Sequence, residues 1–175
     1  MFRRDPLADP HRLIRRVYAY VAYRLGDGPE AEDATSQTFE RALRYRRTYD
    51  EARGEPVSWL LGIARNVIAE RLSAPRLEPV EPPDVEARGD LEQEAVERLS
   101  LADALAQLDE RERELIALRY GADLTARRIG ELLGMKTNAA EVALHRALAR
   151  LRATLEEPVP ADDSGPLAQR RTVEL

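Results

Sequence analysis

The sequence predicts an all-α protein of two small helical domains joined by a flexible Pro-rich, acidic linker, with a helix-turn-helix in the C-terminal one. Three observations carry this. Ala, Leu, Arg and Glu dominate a chain of 175 residues with only 5% aromatics, helix formers where a sandwich or barrel would draw on aromatic and β-branched side chains. Apolar residues recur at spacings of three and four through most of the chain. Between two such regions, Pro75, Pro79, Pro82 and Pro83 with Gly89 interrupt any helix. The stretch 75–98 carries a net charge of -5, equal to that of the whole chain. The expected organisation is a first domain at 10–73, a linker at 74–91, a second domain at 92–157 and a disordered tail at 158–175. As a polyproline-like path, the linker would reach roughly 56 Å at about 3.1 Å per residue.

In the first domain, Leu13, Ile14, Val17, Val21 and Leu25 mark a helix over 11–25. Gly26-Asp27-Gly28-Pro29 ends it, and Pro29 suits an early helical position. A second helix is expected from about Glu30 to Arg47, burying Ala34, Phe39, Ala42 and Leu43. A loop with Gly54 follows over 48–55. Pro56 opens a third helix through Leu72 with an apolar stripe of Trp59, Leu60, Ile63, Ala64, Val67 and Ile68.

The second domain starts with a helix over 91–108. Asp109-Glu110-Arg111-Glu112 has capping-box spacing for the next, ending at Tyr120-Gly121. Thr125 suits the N-cap of a short helix over 126–133, and Gly134-Met135 makes a tight turn. A last helix runs from about Asn138 to Glu156, with Ala140, Leu144, Leu148, Leu151 and Leu155 as its stripe. A short helix, a Gly-containing turn and a longer basic helix form the helix-turn-helix pattern. Residues 127–152 carry a net +4, a local cationic face for phosphate within an acidic chain.

The composition excludes several classes. With no Cys there is no disulfide scaffold, thiolate metal site or Cys nucleophile. His11 and His145 lie far apart without clustered carboxylates, so no metal and no cofactor is expected. No Gly-rich phosphate loop follows a strand, no Ser or Thr set stands beside a base, and no catalytic residue is assigned. The longest apolar run, 17–23, is too short to span a bilayer, and the first residues run into no apolar signal segment. A cytoplasmic protein without membrane insertion is expected.

Two strings of residues then resemble a known family. Ala31-Glu32-Asp33 with Phe39 and Arg41-Ala42, followed by Trp59-Leu60, Ile63-Ala64 and Arg65-Asn66, are similar to the promoter-melting domain of extracytoplasmic-function (ECF) sigma factors. Leu108 to Leu115, Leu118-Arg119-Tyr120, Leu124-Thr125 through Ile129, Leu132-Leu133-Gly134 and Leu144 to Ala147 resemble that family's C-terminal domain. The likeness covers about 10–73 and 95–156, in the family's order. It implies a subunit that brings core RNA polymerase to promoter DNA and acts by binding, without catalysis of its own. It further implies an inhibitory anti-sigma partner, which no residue here demonstrates.

The resemblance implies a polymerase-binding face of Glu32, Asp33, Gln37 and Arg41 with Phe39 as its internal anchor; ordinary surface charge at a helix N-terminus is the plainer alternative. Ser36 stands where the family often has Gln. It implies minus-ten contacts from the loop and third helix. Arg44, Arg46 and Arg47, interleaved with Tyr45 and Tyr49, suit an unpaired strand, with Arg on phosphates and aromatic faces on bases. A solvated, cationic helix end is the alternative. Trp59 lies on the apolar stripe and reads as core before it reads as a stacking platform, although it belongs to the same string. Arg65 and Asn66 are the better DNA candidates, since Asn pairs with an exposed adenine edge; bridging between helices is the alternative for Asn66. For the minus-thirty-five duplex, Arg127, Arg128, Lys136, Arg146 and Arg150 are phosphate candidates, and His145 either packs or meets phosphate. Thr137 and Asn138 are expected to read bases alongside Ala139. Glu141 either accepts from cytosine or closes a capping box with Asn138, and the capping role is favoured. Glu141-Val142-Ala143 departs from the family's basic or hydroxylic series. Two rival functions follow from the same residues: a stand-alone helix-turn-helix regulator, and a polymerase-binding adaptor with degenerate promoter reading.

Overall fold

The computed structural model describes residues 5–74 and 100–156, and every regular element among them is helical. The expected linker beyond Ala74, the first part of the helix expected at 91–108, and the tail at 158–175 lie outside the described residues. Helix α1 (Pro10–Leu25) starts at Asp9, whose carboxylate accepts from the Arg12 amide at 3.3 Å, with Pro10 in the first turn. Helices α2 (Pro29–Tyr45) and α3 (Pro56–Ser73) also open on proline, whose missing N–H would be unsatisfied there anyway. Residues 100–106 form α4. Helix α5 (Glu110–Ile116) begins with a complete capping box between Asp109 and Glu112 and runs into a π turn over Ala117–Gly121. Helix α6 (Ala126–Leu133) is capped by the Thr125 hydroxyl, which accepts from the Arg128 amide. It ends at Gly134 in the left-handed region, φ 68°. Helix α7 (Thr137–Glu156) follows at once.

The first lobe packs α1, α2 and α3 through Leu13, Val17, Val21, Leu60, Leu61, Ala64 and Ile68, with Ala31, Ala34 and Ala42 letting α2 approach closely. The same apolar cluster continues into the second lobe through Leu115, Leu118, Ala122, Leu124, Ile129 and Ala140. A smaller cluster of Ala104, Leu105, Leu108, Ile116, Ala147 and Leu151 ties α4, α5 and α7 together. Each fully buried Val, Leu or Ile contributes roughly 1.5–3 kcal/mol, so a core shared across the two lobes holds them against each other.

Several expectations are corrected in detail. The second helix stops at Tyr45; Arg46–Thr48 and Glu51–Arg53 are single 3₁₀ turns, so the 48–55 loop is more ordered than its sequence suggests. Leu43 is 57% exposed, and Ile14 and Leu155 also face outward, because each stripe is narrower than its apolar spacing implied. Phe39 is half-buried, packed against the core from its edge. The helix after Asp109 does not stay α-helical to Tyr120, since its last turn widens into the π turn.

Candidate nucleic-acid interface

The first lobe holds a cleft of about 440 Å³ where the 3₁₀ turns meet α3, within the size range of small-ligand sites. Tyr49 and Trp59 form its aromatic floor, with ring centroids 5.6 Å apart and tilted by 58°. Tyr49 is buried and its hydroxyl donates to the Gly54 carbonyl at 3.0 Å. It therefore buttresses the loop, a correction to its expected presentation beside the Arg cluster. Trp59 is half-buried, both core and cleft lining. Asn66 is exposed on the same helix and lines the cleft, as do Thr48, Asp50, Arg53 and Ser58. The Ser58 hydroxyl has no hydrogen-bond partner. Arg53 and Ser58 were not singled out in the sequence; only their place between Tyr49 and Trp59 marks them.

The other first-lobe candidates fall into two groups. Arg44, Arg46 and Arg47 are exposed at the end of α2 and in the turn after it. They lie beside the cleft in sequence but not among its lining residues, and Arg44 pairs with Glu40 at 3.0 Å. On α2, Glu32 and Asp33 are exposed, whereas Gln37 and Arg41 are engaged with α3. Arg71 donates to Gln37 Oε1 at 3.3 Å, and Arg41 grips Glu70 with two bonds of 2.8 and 2.5 Å. The bond from Arg41 holds the Glu70 carboxyl below the usual carboxylate range.

In the second lobe the helix-turn-helix presents one open face. Lys136, Asn138, Glu141, Val142, His145 and Arg146 are exposed, and Thr137 is half-buried at the start of α7. The Lys136 carbonyl accepts the first bond of that helix, from Ala140 at 3.0 Å, so Lys136 occupies the cap position. Asn138 stands inside the first turn, and the capping-box reading of Asn138 and Glu141 is overturned. Arg127 pairs with Glu131 at 3.6 Å, and Arg150 with Glu112 at 3.5 Å. Arg128 is bound to Glu131 at 2.8 Å and to Glu55 of the first lobe at 3.4 Å. Bonding to Glu131 raises its guanidinium further above its ordinary range.

Between the lobes lies a set of groups that no motif marked. Arg24, 6% exposed, pairs with Glu110 and with Glu114, itself 7% exposed. The Tyr20 hydroxyl donates to Glu114 at 3.0 Å and accepts from Arg24 at 3.4 Å. Burial pushes the Tyr20 phenol up. Arg65 joins the group, its Nε 3.0 Å from Glu114. One signal was available: Arg24 sits on the same face of α1 as Leu13, Val17 and Val21, where a charge needs a buried partner. Among the described residues no group of acidic or His side chains could hold a metal ion, and no helix is long and apolar enough to cross a membrane.

Residues 11–76 match the family model described as sigma-70 region 2, and residues 104–153 that described as sigma-70 region 4. The chain is 30% identical over 149 residues to the ECF RNA polymerase sigma factor BldN of Streptomyces coelicolor, covering 81% of this chain and a little over half, 56%, of BldN. It is 30% identical over 158 residues to the ECF sigma factor SigL of Mycobacterium tuberculosis, covering 86% of this chain and 88% of SigL. Its fold is similar to that of the sigma factor RpoE solved with the anti-sigma factor NepR from Bartonella quintana. That likeness has a TM-score of 0.61 at 18% identity, over 82% of this chain and 91% of RpoE.

Proposed function

The chain belongs to the ECF family of RNA polymerase sigma factors, and from that premise we propose that it directs core polymerase to promoters by two separate contacts with DNA. The observation that carries this is the pairing, in one chain, of an aromatic-floored cleft with Asn66 at its edge and an open recognition face on α7. In the cleft, a base leaving the duplex finds apolar ring surface below it and an amide able to bond an adenine edge. Arg44, Arg46, Arg47 and Arg53 supply charge for the strand that carries it. On α2, Glu32 and Asp33 offer the polymerase contact, while the bonds from α3 to Gln37 and Arg41 hold that helix in place.

On α7, Glu141 is not consumed by a cap. Its carboxylate is available to accept from a cytosine amino group, and Val142, 50% exposed, offers an apolar contact to a thymine methyl. Lys136, Arg127 and Arg146 supply phosphate contacts, which position the helix without reading sequence. An inhibitory anti-sigma partner fits the family premise. The test is strand opening by core polymerase with this chain on selected genomic fragments, followed by permanganate reactivity of unpaired thymines. Asn66→Ala is expected to retain polymerase binding and reduce opening at least tenfold. Unchanged opening would remove the cleft from the mechanism.

A further inference from the structure

Another cleft, of about 550 Å³, lies between the end of α1, the end of α3 and α4, within the size range of small-ligand sites. It shares no lining residue with the cleft of Tyr49 and Trp59. Ala22, Tyr23, Leu72, Leu101 and Leu105 make its wall largely apolar. Leu72 is 41% exposed, apolar surface that the described residues leave uncovered. Burial pushes the Tyr23 phenol up, as a poorly hydrated wall does to a group that would carry charge.

The polar groups of this wall are not alike. Tyr18 donates to Asp27 at 2.5 Å, which closes that pair on itself. Arg113 of α5, half-buried, donates from Nε to the Leu105 carbonyl and from Nη2 to the carbonyls of Ala106 and Leu108, each at 3.0 Å. Those bonds fix the guanidinium at the end of α4. Carbonyls carry only partial charge, however, and among the described residues Arg113 pairs with no carboxylate and its Nη1 makes no bond. Arg24 is paired with Glu110 and Glu114, yet its Nε is buried without a partner, an uncommon state for a buried donor. The cleft therefore joins an apolar wall to one uncompensated cation held in place and one orphan donor.

We propose that this cleft is a binding site for a small amphipathic carboxylate, its apolar body against Tyr23, Leu72, Leu101 and Leu105 and its anionic group on Arg113. A neutral apolar molecule would leave the Arg113 charge unmatched, and a polyanion such as a nucleotide would gain nothing from the leucine and tyrosine wall. A single carboxylate on an apolar body answers both. Arginine suits it, because the guanidinium bonds carboxylate oxygens with charge assistance and Nη1 still has both its hydrogens to offer. Since the wall is drawn from α1, α3, α4 and α5, a bound ligand touches both lobes and raises the melting midpoint with its concentration.

Octanoate is the probe, with 1-octanol as its uncharged counterpart, each titrated into the isotope-labelled full chain and followed by amide NMR shifts. Shifts are expected at Gly26, Leu101 and Ala106 and not at Asn66 or Asn138, with octanoate binding more tightly than 1-octanol. Arg113→Gln should weaken octanoate roughly tenfold, the low end for a hydrogen bond to a charged group, and leave 1-octanol unchanged. Ala102→Trp, at an exposed position in the wall, fills the cleft and should abolish binding of both. Wild-type chain without shifts at these cleft residues, or with equal affinity for the two probes, overturns the proposal, as does octanoate affinity unmoved by a folded Arg113→Gln. If circular dichroism shows that Arg113→Gln does not fold, the loss of octanoate binding in Ala102→Trp decides in its place. Octanoate that binds only after residues 75–99 are replaced by Gly and Ser would make that segment the occupant and overturn the ligand site.

Discussion

Arg24→Met removes one charge from the buried group between the lobes while keeping most of the side chain's length. Glu114, 7% exposed, then keeps only Arg65 at 3.0 Å and the Tyr20 hydroxyl at 3.0 Å. Breaking a buried ion pair from one side costs about 3–5 kcal/mol. Arg65 remains as a second cation, and Glu110 has a side chain 61% exposed, so the low end applies, about 3 kcal/mol. For a chain of this size each kcal/mol moves the melting midpoint by roughly 2–4 °C, which gives a fall of about 6–12 °C. Glu110→Gln touches the solvated partner and should cost no more than about 1 kcal/mol. Replacing both buried partners, Arg24→Met with Glu114→Leu, should recover much of the loss, because well-packed apolar side chains often match a buried pair. Urea and thermal denaturation of the full chain, followed by far-ultraviolet circular dichroism, measures all three variants. An Arg24→Met cost equal to that of Glu110→Gln would refute the account of a desolvated network.

Two further outcomes follow from contacts within single lobes. Asp109→Ala removes the side chain that accepts from the Glu112 amide at 2.8 Å, and should destabilise the chain by about 1 kcal/mol in urea denaturation. Arg41→Ala should return the Glu70 carboxyl to the ordinary glutamate range. Because Arg41 lowers that group in the folded chain, the contact stabilises above the unfolded pKa and loses its effect as pH falls through the folded one. Carboxyl NMR titration of Glu70 in both proteins checks the sign, and an unmoved midpoint contradicts the contact.

Periodic and capping signals were legible in the sequence because they are local. Proline openings, the Asp109 box, the Thr125 cap and the Gly134 turn each depend on residues within one turn of one another. What the sequence did not show depends on partners far along the chain. Arg24 and Glu114 are separated by 90 positions, and nothing near Arg24 says which carboxylate it meets. Tyr49 read as a free face beside arginines, yet the ring of Trp59 and the carbonyl of Gly54 bury it. Asn138 and Glu141 have the right spacing for a box, but the helix starts two residues too early for it. Gly121 read as a helix stop, whereas what calls for a glycine there is the close approach of the α1 backbone.

The proposed role of this chain is to give core polymerase its promoter choice. Run-off transcription by core polymerase on fragmented genomic DNA from the host, with and without the chain, tests it most directly. New transcripts that share a start-site motif are expected, with Glu141→Gln changing the upstream part of that motif and Asn66→Ala lowering yield without changing it. An active core that gains no specific transcript on adding the folded chain would contradict it.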